Sequence, residues 1–71
     1  DPTGGKFTSS SDVKLNNAML IIRNNIGQEI YQLPNLKGKS YNLDITTYPS
    51  GIYFVQLIEK DYHAHFKIVK Q

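Results

Sequence analysis

His63 and His65 are the side chains best placed by type and spacing to do chemistry. Two residues apart on a strand, they project to the same face. Two imidazoles offer two ligands, whereas zinc takes three or four. No third histidine stands close in sequence to complete such a set. The plainer reading is a solvated strand face with a weak response to pH near neutrality. Serine, histidine and aspartate all occur, but no nucleophile-elbow motif presents a serine to a base. Gly4-Gly5-Lys6 lacks the glycine spacing of a phosphate loop. The chain has no cysteine, which removes thiolate ligands, thiol nucleophiles and disulfides together. The expectation is therefore a domain that is not an enzyme and holds no metal or cofactor.

The elements that would have to position any site are short and extended. A chain of 71 residues makes one domain, spanning 1–71, with one modest core. Hydrophobic residues make up 39% and charged residues 20%, an ordinary globular balance. The net charge is +2, held in residues 36–71, where five basic side chains face three acidic ones. That asymmetry is too small for a nucleic-acid-binding face, so no nucleic acid partner is expected. No apolar run approaches the roughly 20 residues of a membrane helix. The start of the chain lacks a signal peptide's features, so any export signal is expected upstream on a longer precursor. Asp1-Pro2-Thr3 reads as the start of a domain excised from that precursor.

Period-two patterning dominates. Phe7 lies in a short run after Gly4-Gly5, and Val13 and Leu15 alternate with polar neighbours. Residues 18–23 are apolar on both faces, as a central strand would be. Ile30 carries a further run, followed by alternating series at Tyr41–Ile45, Tyr53–Ile58 and Tyr62–Val69. Asn24–Gly27 reads as a hairpin turn in which Gly27 takes positive φ, and Pro34–Gly38 as a looser connection. Thr8–Ser11 reads as a loop or strand crossing, and Lys60-Asp61 as a short turn. No 3.6-residue period is sustained, so no substantial helix is expected. The reading is all-β: an Ig-like antiparallel β-sandwich of about seven short strands. Its exposed edges leave open a dimer through an edge strand.

The most informative stretch is Asp44–Val55. Pro49 fixes φ, Gly51 frees it two residues later, and Tyr53 follows on the inward face of the next strand. A tyrosine placed just after such a crossing can bond its hydroxyl to upstream backbone and lock the corner. The alternative is that Tyr53 simply fills the core. Both roles are structural. Lys67 and Lys70 are expected to face solvent or to lie near the frayed end of the chain. Tyr31, Tyr48, Phe54 and Tyr62 could line a sugar-binding or protein-binding face, or merely cover a small core.

The motifs also occur in a distinctive order. Pro2, Gly5, Lys6 and Phe7 come first, then Gly27-Gln28-Glu29-Ile30, Asp44-Ile45, Pro49 through Val55, and Phe66 through Lys70. In this order and spacing the chain resembles, over nearly its whole length, the type A C-terminal sorting domain of type IX secretion (Por secretion) cargo. The resemblance implies an Ig-like sandwich at the C-terminus of a larger precursor. It implies partners too: type IX translocon and shuttle components, a sortase-like peptidase and an upstream cargo domain. The precursor would transit the periplasm, and its cargo would be anchored at the cell surface or released. Carried onto this chain, translocon recognition falls to Gly51, Tyr53, Lys67, Val69, Lys70 and Gln71. The structural motif falls to Pro2, Gly5, Phe7, Gly27, Pro49, Gly51 and Tyr53. The competing reading is a non-catalytic carbohydrate-binding or adhesive sandwich module of a secreted enzyme. A sorting domain is expected to end its precursor directly after the last strand, whereas a binding module would tolerate residues beyond it.

Overall fold

The structure is a computed structural model, which describes residues 2–3 and 6–71. Gly5 lies outside the described residues, as do the side chains of Pro2 and Phe7. Five strands follow one another: β1 (Pro2–Thr3), β2 (Lys6–Asn24), β3 (Glu29–Asp44), β4 (Gly51–Glu59) and β5 (Tyr62–Lys70). They form one sheet in the order β1-β5-β4-β2-β3. Neighbours are antiparallel except β1 and β5, where Pro2 and Thr3 pair in parallel with Val69 and Lys70.

The all-β class stands, but the seven-strand sandwich does not appear. The runs around Phe7, Leu15 and Leu20 are one continuous strand, β2, and those around Ile30 and Tyr41 are one strand, β3. Polar residues that looked like breaks are extended and paired: Thr8 with Asn42, Ser9 with Tyr41, Ser10 with Ser40. Register shifts between Ser10 and Leu15, Asn16 and Ala18, and Ala18 and Leu20 absorb the extra residues as bulges. Asn17 and Asn35 adopt positive φ of 69° and 63°, and Gly38 one of 90°, at the same level of the hairpin. The two long strands thus bend together without parting. Pro34 is tolerated because β3 pairs on one side only, with β2. Proline and glycine mark a bend of an edge strand here, not its end.

The bend curls the sheet around its apolar face. Leu15, Ala18, Leu20 and Ile22 of β2 meet Tyr41 and Leu43 of β3, Ile45 of the loop that follows it, Tyr53, Val55 and Leu57 of β4, and Ile68 of β5 in one buried cluster. β3 is not paired with β4 or β5, so its distal half reaches that cluster by folding over them. β2 lies between β4 and β3, which agrees with its apolar residues on both faces. The backbone amide of Asn16 donates to Glu59 Oε1 at 2.7 Å, fastening the bend to the far end of β4.

Two turns keep the hairpins in register. Between β2 and β3, Asn24 N donates to Gln28 O and Gly27 N to Asn24 O, each at 3.0 Å. Asn24 Oδ1 accepts from the amides of Ile26 and Gln28 as well. Gly27 has φ +86°, a conformation that glycine takes without steric cost. At the other end Lys60-Asp61 joins β4 to β5, flanked by the Glu59–Tyr62 pair.

Candidate recognition surface

Residues 45–50 form the loop from β3 to β4, and its shape is set residue by residue. Asp44 Oδ1 accepts from the Thr46 amide at 3.0 Å and the Thr46 hydroxyl at 2.6 Å, an Asx turn. The Thr46 hydroxyl, then its amide, hold the Asp44 carboxyl below its ordinary range, with Lys6 and Lys70 adding to the effect. Ile45 then turns fully into the core, and Tyr48 N donates to Ile45 O at 3.0 Å. The Tyr48 and Tyr53 rings lie 5.9 Å apart, tilted by 33°. Burial raises the Tyr48 phenol above its ordinary value, with the Tyr31 and Tyr53 phenols adding to it.

Tyr53 is 5% exposed, and its hydroxyl donates to the Pro49 carbonyl four residues upstream. This is the tyrosine-corner arrangement: a buried phenol that must find a partner finds it in the turn it stabilises. Gly51 sits between them with φ +150°, in a region that side-chain-bearing residues rarely adopt, although among the described residues no atom beyond its chain neighbours lies within 4 Å of where a Cβ would be. The constraint there is the backbone, not the space.

β5 closes the same corner. Its register against β4 sets Gly51 opposite Lys70, Ile52 opposite Val69, Tyr53 opposite Ile68 and Phe54 opposite Lys67. Gly51, Lys67, Val69, Lys70 and the adjoining Gln71 therefore share one end of the domain. Tyr53 lies beneath them in the core. Pro2 joins this end through its pairing with Val69, and Gly27 shapes the β2–β3 turn beside it. A groove opens here between Asn24-Asn25 and Tyr48–Gly51.

Lys70 corrects the expectation of a solvent-facing basic end. Lys67 is exposed, but Lys70 is half-buried. Its ammonium donates to the carbonyl of Thr46 at 2.9 Å and to that of Tyr48. Two loop residues and the last strand are thereby tied to one cation. Nothing local in the sequence announces this, because the partners are 24 and 22 residues away. The Asx turn did have a signal, in Asp44-x-Thr46.

The remaining candidates scatter. His63 and His65 are both exposed, opposite Ile58 and Gln56. Among the described residues no three His, Cys, Asp or Glu side chains gather. The four aromatics do not make one platform. Tyr31 pairs with Ile22 and so lies on the core side of the sheet, while Phe54 alternates with Tyr53 and Val55 and lies on the opposite side. Tyr48 and Tyr62 pack against the core.

Comparison with known proteins returns one family over this geometry. The model of the secretion system C-terminal sorting domain matches residues 1–71. No curated protein matches the chain. The family is one of type IX secretion signals and generally non-catalytic, and membership implies work with that machinery on behalf of an upstream cargo domain, by way of the periplasm. With the whole chain matched, and the Pro49–Val55 and Phe66–Lys70 motifs meeting at one end of the sheet, the chain belongs to the secretion system C-terminal sorting domain family.

Proposed function

We propose that this domain is recognised as a folded surface, at the end where β4 begins and β5 finishes. Gly51, Lys67, Val69, Lys70 and Gln71 form that surface, and Tyr53 holds it from below. The carrying observation is the β4–β5 register, which brings residues of two separate motifs side by side. The tyrosine corner and the Lys70 clamp fix the backbone of the surface in advance, so a partner need not spend binding energy ordering it. Translocon and shuttle components read the domain in the periplasm. A sortase-like peptidase then removes it, and the cargo is anchored at the cell surface or released.

The test is a reporter placed behind a signal peptide and ahead of residues 1–71, expressed in a host that has the type IX pathway. The expected result is reporter outside the outer membrane with the domain removed. Reporter held in the periplasm with the domain intact would defeat the proposal. The carbohydrate-binding or adhesive alternative draws less support, because Tyr31 and Phe54 lie on opposite sides of the sheet.

A further inference from the structure

The side of the sheet that faces away from the core carries an unusual set of residues. Tyr53, Val55 and Leu57 are buried in the core, so Ile52, Phe54, Gln56 and Ile58 of β4 lie on the other face. The registers place Met19, Ile21 and Arg23 of β2 on one flank, and His63, His65, Lys67 and Val69 of β5 on the other. A solvent-facing side of an antiparallel sheet is ordinarily polar. Here Ile21 is only 7% exposed although it stands outside the core cluster, so its cover comes from this second face. Ile52 and Phe54 remain 40% and 44% exposed.

On β2, β4 and β5 this face carries basic side chains and no carboxylate. In the central row Phe54 stands between Arg23 and Lys67. Arg23 Nη1 donates to Gln56 Oε1 at 2.6 Å, which holds the guanidinium over the middle of the face. His65 and His63 follow in the next two rows. Among the described residues the carboxylate in register with these rows is Glu29, opposite Arg23 at the rim.

On the reading that the domain is a sorting signal, we infer that this face is a docking surface for a protein partner with an apolar centre and a carboxylate rim. A second copy of the chain is a poor occupant, because pairing the face with itself sets Arg23, Lys67 and the imidazoles against their like. An anionic membrane gains about 1 kcal/mol per basic side chain near its surface, and two permanent cations on a flat face give it little hold. Three strands by up to seven residues cover roughly 15 × 24 Å, or about 350 Å². That is well below the about 800 Å² per partner of a stable complex. The contact is therefore brief, as suits a domain handed along a pathway.

The experiment compares export of the reporter fusion carrying the wild-type domain, Phe54→Ser, or Arg23→Glu with Lys67→Glu, with the melting of the domain followed in each fusion. The expected result is export reduced roughly tenfold in both variants with unchanged melting, as for loss of a central anchor. Wild-type export of the Phe54→Ser fusion overturns the inference and leaves the sorting role standing, and wild-type export of the double variant overturns the inference together with the place given to Lys67 on the recognition surface. A wild-type fusion that is itself not exported overturns the sorting role and this inference with it. If either variant melts early, Ile52→Ser, at an exposed position outside the Arg23–Gln56 bond, decides on the same two outcomes. Each fusion is also tested on phosphatidylglycerol and phosphatidylcholine vesicles. Binding to the former alone, lost with the two cations, identifies a lipid and overturns the protein partner.

Discussion

Two places in this small sheet change the direction of the chain, and they do so by different means. At the corner, residues 44–53, side chains hold the backbone: Asp44 holds Thr46, Tyr53 holds Pro49, and Lys70 holds Thr46 and Tyr48. At the bend, where Asn16–Ala18 faces Leu36–Gly38, the backbone turns through bulges and the positive φ of Asn17, Asn35 and Gly38. The same contrast appears in two buried tyrosines. The Tyr53 hydroxyl has the Pro49 carbonyl. Among the described residues the Tyr41 hydroxyl is enclosed without a formed hydrogen bond; burial raises its phenol, and the Ser9 hydroxyl across the ladder offsets part of that rise. Tyr53 ties its turn, while Tyr41 fills space. The corner is a built surface and the bend gives the sheet its curl.

The largest effect that separates them is expected at glycine. Gly51→Val and Gly38→Val both force a β-branched residue into positive φ in open space, at about 2 kcal/mol each. Denaturant unfolding checks the stability loss. Export should follow stability for Gly38→Val and fall further for Gly51→Val. Equal export at matched stability would erase the distinction between corner and bend.

The tyrosines come next. Tyr53→Phe leaves the Pro49 carbonyl without its donor and should cost about 1 kcal/mol, whereas Tyr41→Phe should be neutral or mildly stabilising, since it removes an unsatisfied hydroxyl from an apolar site. Thermal melts of the two variants decide this. Equal losses would mean that Tyr41 is as well bonded as Tyr53.

This pair also marks how far the sequence could be read. Pro49, Gly51 and Tyr53 lie within five residues, so their interaction is local and the corner was visible as one of two roles for Tyr53. The β-class and the turn at Gly27 were equally legible, since alternation and positive φ are local properties. The strand count was not. Thr8–Ser11 and Pro34–Gly38 look like punctuation, and only pairing between distant segments keeps them extended. The Lys70 clamp and the face around Phe54 were hidden for the same reason, because register across strands creates them.

A smaller effect concerns the two lysines of β5. Lys70→Ala should lower stability by about 0.5–1 kcal/mol, because two loop carbonyls lose a charged donor at a partly solvated site. Lys67→Ala, exposed and opposite Phe54, should leave the melting temperature unchanged. A Lys70 variant as stable as the Lys67 variant would show that the clamp adds nothing.

The smallest effects are those of pH. Because Asp44 titrates below its ordinary value in the fold, its contribution is complete above about pH 4, the ordinary carboxylate value, and fades as pH falls through the lowered one. Tyr41 and Tyr48 titrate high, so their contribution is complete below about pH 10 and is lost as pH rises through their raised values. Asp44→Asn should flatten the acid side of a stability–pH profile and Tyr41→Phe the alkaline side. Profiles unchanged by either substitution would contradict those assignments.

The central claim, that a sorting domain is read at its corner and not at its bend, is tested most directly by reversing one exposed charge at each place. The reporter fusion carries Lys67→Glu or Lys37→Glu, and the exported fraction is measured beside wild type. The prediction is that all three melt alike, that wild type and Lys37→Glu are exported equally, and that Lys67→Glu is retained in the periplasm. Equal export of the two variants, or loss at Lys37 with Lys67 spared, would contradict it.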